Sequence, residues 1–592
     1  MNMSDPTLKY FEEEMRYLRE AGLEFSKAYP DRAALLNINR LGTRDPYVER
    51  LFEGFAFLTG RIQQKLNDDL PELTESLVNM LWPHYLRMIP SLTVLEFQPD
   101  FKTLQGNQTV EKGVPIQSEA VSVEDRQTRC IYRTTHDVQL VPLHILYSML
   151  DHDLNGRSII RIRFRFGEQM QRQQLDISKL RLYISAEEPV AFALRHALLH
   201  NVDHINLNVD GEKFAPEHNI KFSSVGFGSE ERLWRKENNS FSGYQMLLEY
   251  FCFKQKFFFV DLEGIDFSDI PDSSSEFSVD VVLSKNYPVE LKFDADALRL
   301  HCTPAINLFD MEAEPVRVDH LNHEYMIKPL LHDSINVEIY SVDAVDAFNH
   351  HAGTRYQYVP FSSFQHRGGL MKYDAPERYF HTRVKQGVGG KYETYLMLGG
   401  HAWEEQNPLP FETLSLKVTG TNGKIPRKTL RETQIRNKSS GIPNIIQVRN
   451  LLTPTLSCYP PTEDRFQWRI LSHLAPNYLS LLNKDTLKGA LAIYDWTEDE
   501  LNKRKLNGIL DVSHQQVRRL EKGMVQRGVH ITLTLDEDAF EGEAEVYLFG
   551  ELLNEFFAMY ADLNLFTRFT IVSLPSGKQY QWKDSKTTTV RF

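Results

Sequence analysis

The sequence predicts a multidomain α+β chain: a helical, bundle-forming N-terminal region, β-rich middle domains and an α+β C-terminal module. Three observations carry that expectation. Apolar residues near the N-terminus recur at helical spacing, the long middle alternates with a period of two, and helical periodicity returns after Pro460-Pro461. A length of 592 residues leaves room for several domains. The expected boundaries are 1–91 for the helical region, 92–270 for a β-rich domain with one or two helices, 271–460 for a second β-rich domain, and 461–592 for the C-terminal module.

The helical region opens on Ser4-Asp5-Pro6, a cap followed by a proline suited to a first turn. Leu8, Phe11, Met15, Leu18, Gly22 and Phe25 then follow alternating spacings of three and four, which make an a/d seam until Pro30. Asp45-Pro46 repeats the start signal, and Val48, Leu51, Phe55, Leu58, Ile62 and Leu66 continue it. A third helix is expected after Pro71, with Leu73, Leu77, Leu81 and Trp82 on its apolar side.

From about Leu92 the texture becomes short alternating strands. Ile160, Ile162, Phe164 and Phe166 alternate with Arg161, Arg163 and Arg165, the pattern of a sheet with one buried face. Asn336 to Val342 and Leu414 to Val418 read alike, and helices are expected near Val190 to His200 and Tyr244 to Phe253. In the C-terminal module, strands at His530 to Leu535 and Phe569 to Ser573 flank a helix from about Ala544 to Tyr560. That helix carries two adjacent apolar stripes, Leu548-Leu552-Phe556-Tyr560 and Phe549-Leu553-Phe557. So wide an arc needs cover on two sides, from its own domain or from another subunit.

Charge narrows the function. The net charge is −13, from 67 basic and 80 acidic residues, and a surface of that sign repels phosphate backbones and anionic lipid. No nucleic-acid partner and no membrane insertion are expected, since no apolar run is long enough to span a bilayer. The N-terminus lacks the pattern of a secretory leader. Cys130, Cys252, Cys302 and Cys458 lie far apart, with no metal-knuckle or redox spacing, as expected of a reducing compartment.

A search for chemistry finds little. No phosphate-binding loop, nucleophile elbow or His-Glu-x-x-His motif is present, and Gly387-Val388-Gly389-Gly390 reads as a hairpin turn. His196, His200 and His204 are the best metal candidates, but the helix is expected to end before His204. No catalytic residue, metal site or cofactor is therefore assigned. Arg157, Arg161, Arg163, Arg165, Arg172 and Arg181 form the one basic concentration, either a solvated strand face or a docking face for an acidic partner.

Five segments resemble one family. Tyr10 to Leu36 and Asp45 to Ser91 resemble the opening helices of TssF proteins, also called ImpG or VasA, and Glu338 to Val345 (EIYSVDAV) resembles their central strand motif. Trp468 to Leu482 and Val546 to Phe569 are similar to the two C-terminal signatures. The resemblance runs the whole length in the same order. Departures lie in turns and helix ends: Gly420 to Pro426 replaces a Cys-Thr-Asn-Arg-Asp-Leu-Pro stretch, and Ala475-Pro476 and Leu565 also differ.

The resemblance implies a non-enzymatic wedge subunit of the type VI secretion system baseplate, similar in place to wedge proteins of contractile phage. Implied partners are TssG, a second copy of the chain, TssK, TssE and the VgrG hub. The implied location is the bacterial cytoplasm, docked at the inner-membrane complex through the baseplate. Within that frame, Leu8, Phe11, Met15, Leu18 and Phe25 are candidate contacts of a bundle shared with TssG and the second copy. Glu555, Asp562 and Arg568 are candidate rim residues of a contact between neighbouring wedges. The rival classes are a large cytoplasmic hydrolase and a stand-alone ligand-binding protein; either predicts a pocket with perturbed titratable groups or an aromatic groove.

Overall fold

The computed structural model describes residues 15, 18, 50–59, 78, 83–123, 125–168, 170, 179–209, 212–214, 220–234, 242–265, 267, 270–271, 274–319, 322–330, 336–350, 353–361, 378–387, 391–400, 412–438, 442–443, 445–461, 482–497, 499–521, 524–560 and 565–586. The chain divides into two compact units, Met1–Met80 with Arg465–Leu471, and Leu81–Asp464 with Ser472–Phe592.

In the first unit, helix α1 covers 50–59 of the described residues, and Met15, Leu18 and Val78 are also helical. The expected N-terminal bundle is not supported. Most of the three predicted helices, with Leu8, Phe11 and Phe25, lies outside the described residues. The physical reason within α1 is its orientation. Ala56 is fully buried and Phe52 half-buried, whereas Leu51, Phe55 and Leu58, the predicted inward stripe, face out. Met15 is buried and Leu18 half-buried.

The second unit is mixed α+β with strand dominant. A six-stranded sheet runs from Ile435–Lys438 through Pro115–Ser118, Ile131–Thr134, Cys302–Ile306 and Leu92–Pro99 to Ile446–Asn450. Leu92–Pro99 is paired on both sides and almost wholly buried, so it reads LTVLEFQP without clean alternation. Leu95, Phe97, Ile116, Tyr132, Ile435 and Ile446 form its core. A five-stranded sheet pairs Ser158–Phe166 between Leu143–His152 and Glu276–Leu283. A larger sheet is built around Glu338–Asn349 and Glu412–Thr421. Its Arg378–Gln386 and Tyr392–Gly400 strands close through the Gly387 turn, where the Gly387 N–H donates to the Lys391 carbonyl at 2.8 Å.

Helix α2 (Glu188–His200) starts with Pro189 in its first turn and ends at Asn201, so His204 falls on the following strand, Val202–Val209. Helix α3 is Ser242–Cys252, α4 is Lys484–Tyr494, capped by the Asn483 side chain, and α5 is Glu500–Asn507, capped by Asp499. Helix α6 (Glu543–Tyr560) links the parallel strands Met524–Asp536 and Leu565–Leu574. Before it, Ile509–Glu521 and Met524–Asp536 form an antiparallel hairpin with Ile509–Glu521 at the sheet edge.

Helix α6 decides how the C-terminal module is held. Leu548, Leu552, Phe556, Phe549, Leu553 and Phe557 are all buried. The sheet strand Leu565–Leu574 covers one side and α2 and α3 cover the other, so both apolar stripes are satisfied within the chain. Gly550 makes the close approach possible: a Cβ there would overlap the Trp582 ring and Ile571. Arg195, buried on α2, donates to the Phe257 carbonyl and the Glu551 carboxylate, each at 2.8 Å, tying α2 to α6.

Candidate assembly surfaces

The arginine concentration proves to be internally neutralised. In register, Asp280 lies opposite Arg161 and Glu276 opposite Arg165. Arg161 Nε donates to Asp280 at 2.9 Å and its Nη1 to Asp151 at 2.8 Å. Arg163 and Arg165 both hold Glu276, each through Nε at 2.8 Å. Arg157 is paired with Asp153 and Asp203, and Arg181 with Asp261 and Glu231. Arg172 lies outside the described residues. Hydrogen bonds from Arg165, then Arg163, hold the Glu276 carboxyl below its ordinary range. Of the two readings of these strands, the solvated, self-paired face is the one the geometry supports.

The His196 and His200 rings pack tilted against each other and against Tyr547, at ring separations of 5.4, 4.9 and 4.0 Å. Burial pushes His196 down to about 4 and His200 to about 3, so both are neutral near pH 7. His204 sits on the strand against Asp203, at 3.0 Å. Among the described residues no group of three metal-ligating side chains converges.

Two open clefts flank the Leu298 to Cys302 segment. The larger, about 490 Å³, is lined by Glu96, Phe101, His144, Asp296, Arg299 and His301. Its carboxylate Glu96 is taken up by Arg299 at 3.2 Å and Arg449 at 2.6 Å. His301 accepts from the Val141 N–H at 3.1 Å, and burial lowers it to about 4. The smaller, about 370 Å³, includes His136, likewise lowered to about 4 by burial, and Cys302. Burial pushes the Cys302 thiol up, and it donates to the Leu300 carbonyl at 3.3 Å.

Exposed apolar surface is more telling. On α1, Leu51, Phe55 and Leu58 are 58%, 57% and 60% exposed and follow i, i+4, i+7, one continuous face. A monomer gains nothing by turning that face to water. Of the other predicted contact residues, Glu555 is half-buried and raised by burial. Arg568 is held by Asp584 at 2.9 and 3.0 Å, and Asp562 lies outside the described residues. Of these, Arg568 is thus tied to its own chain through Asp584. The hairpin Ile509–Glu521/Met524–Asp536, whose first strand sequence reasoning missed, presents Leu520 at 73% and Val525 at 65% exposure. The sequence signal that could have found it is the glycine of Lys522-Gly523, a turn-favouring residue type between the two runs.

Rigid β-rich modules, with apolar side chains turned outward on a helix and a hairpin, define a protein made to be covered by others, an assembly subunit. The chain belongs to the TssF family of the type VI secretion system, whose family model matches residues 3–588. It is similar to type VI secretion system component TssF1 of Pseudomonas aeruginosa, with 28% identity covering 98% of each chain. It is also similar to a chain of a TssK-TssF-TssG baseplate subcomplex solved by cryo-electron microscopy, at 44% identity and a TM-score of 0.79. That match covers 92% of this chain and 99% of that one. A chain of a type VI secretion baseplate complex matches at 43% identity and a TM-score of 0.65, covering 99% of this chain and 100% of that one. Among the described residues no helix is long and apolar enough to cross a membrane.

Proposed function

We propose that this chain is a structural, non-catalytic subunit of the baseplate wedge, pairing with TssG and a second copy of itself and helping dock TssK and TssE around the VgrG hub. The observation that carries this reading is its likeness, over nearly its whole length, to a chain solved within a TssK-TssF-TssG subcomplex. The outward Leu51-Phe55-Leu58 stripe of α1 fits a helix that completes its packing only against a partner. The N-terminal seam residues Leu8, Phe11, Met15, Leu18 and Phe25 join that contact in this reading. The assembled baseplate, rather than the chain alone, is what docks at the inner-membrane complex. Co-expression with TssG and TssK tests the proposal. The three proteins are expected to elute together by size exclusion, and a chain that elutes alone as a monomer contradicts it.

A further inference from the structure

We propose that the distal half of the Ile509–Glu521/Met524–Asp536 hairpin receives an extended, acidic segment of a partner protein as an added strand. The first observation is an open edge. Ile509–Glu521 pairs only with Met524–Asp536, and no strand lies along its other side among the described residues. Helices α4 and α5 approach this strand, and α5 ends at Asn507, just before the strand begins. The register brings Leu565–Leu574 alongside Met524–Asp536 only from Arg527 onward, so among the described residues Met524 to Gln526 outrun that neighbouring strand. A long edge with unpaired main-chain groups is a template for another strand.

The second observation is charge. Arg518 and Arg527 stand directly opposite each other, both exposed, and neither makes an ion pair or side-chain hydrogen bond among the described residues. Like charges in that position destabilise a strand pair unless something neutralises them. The chain does neutralise the other face of the same strand, where Arg519 meets Asp584 at 2.9 Å. Yet the Arg518/Arg527 pair is left bare in a chain of net charge −13.

The third observation is the neighbouring pair. Leu520 lies opposite Val525, and both are two positions from the arginines, hence on the same face. Two cations beside two exposed apolar side chains along an open edge fit a polypeptide. A nucleic-acid strand offers no main-chain partners for that edge and no apolar cover. An added strand would place a carboxylate beside Arg518 and, two residues away on the same face, an apolar side chain beside Leu520.

The test uses the full chain and fluorescent synthetic peptides of sequence (Thr-Glu-Thr-Val)₂, with Lys-for-Glu versions as controls. Fluorescence anisotropy should show the Glu peptide binding roughly tenfold more tightly than the Lys peptide. The double variant Arg518→Glu/Arg527→Glu should reverse that order, and Leu520→Asp should weaken binding of the Glu peptide. Circular dichroism should show both variants folded, since all three side chains are exposed. Equal binding of both peptides, or an order unchanged by charge reversal, overturns the proposal. So does a single-stranded oligonucleotide or an anionic phosphatidylserine vesicle that binds, and is released by the reversal, where the Glu peptide does not. Co-elution of the reversed variant with TssG separates a failure of this inference from a failure of the wedge assignment.

Discussion

Two antiparallel strand pairs carry arginines on a solvent-facing side, and they end in opposite electrostatic states. On Ser158–Phe166 the neighbouring strand Glu276–Leu283 places Asp280 and Glu276 in register with Arg161 and Arg165. On Ile509–Glu521 the neighbouring strand places Arg527 opposite Arg518. The first pair closes its own circuit and leaves nothing for a partner. The second is complete as a fold and incomplete as a charge arrangement. A basic strand therefore says little about binding until its register partner is known.

Removing the counter-charge should turn the first region into something like the second. Asp280 is buried and bidentate to Arg161, so Asp280→Ala leaves a half-exposed guanidinium with Asp151 alone. Breaking a buried pair costs several kcal/mol, and the exposure of Arg161 reduces this to about 2 kcal/mol, measurable by denaturant unfolding. An unchanged midpoint would mean that the pairing contributes nothing net.

Acid distinguishes the regions by titration. Glu276 has its folded pKa depressed by Arg165 and Arg163. Its contribution is thus fully present above the unfolded value of about 4.3 and is lost as pH falls through the lower folded value. Between wild type and Glu276→Gln, the stability difference should shrink on acidification below about pH 4. Among the described residues Arg518 and Arg527 have no paired carboxylate, so Arg518→Gln should show no such pH-dependent difference over that range.

The smallest effect lies at the like-charged pair. Arg518→Gln relieves repulsion across the hairpin and should raise stability of the isolated chain by about 0.5 kcal/mol or less. Loss of stability in a thermal melt would reveal an internal partner for Arg518.

Much of the fold was legible because packing imposes period. The strand at Ile160 to Phe166 and the helices near Val190 to His200 and Ala544 to Tyr560 stand where their apolar spacing put them. The second cover of α6 was not legible, because α2 and α3, which provide it, lie far earlier in the chain. Ile509–Glu521 escaped notice for another reason. As an edge strand it buries only Ile509 and Val512 among the residues whose exposure is described, so its apolar residues keep no regular period. At α1 the period was correct but its direction was not, since Leu51, Phe55 and Leu58 face outward instead of into a bundle. Spacing defines a face and cannot say which molecule covers it.

That outward face is the account's central claim. Leu51→Asp/Phe55→Asp/Leu58→Asp, co-expressed with TssG, tests it most directly, because all three side chains are exposed in the chain alone. The expected outcome is a folded protein, with the circular dichroism of wild type, that no longer co-purifies with TssG. Recovery of the complex at the wild-type level would contradict it.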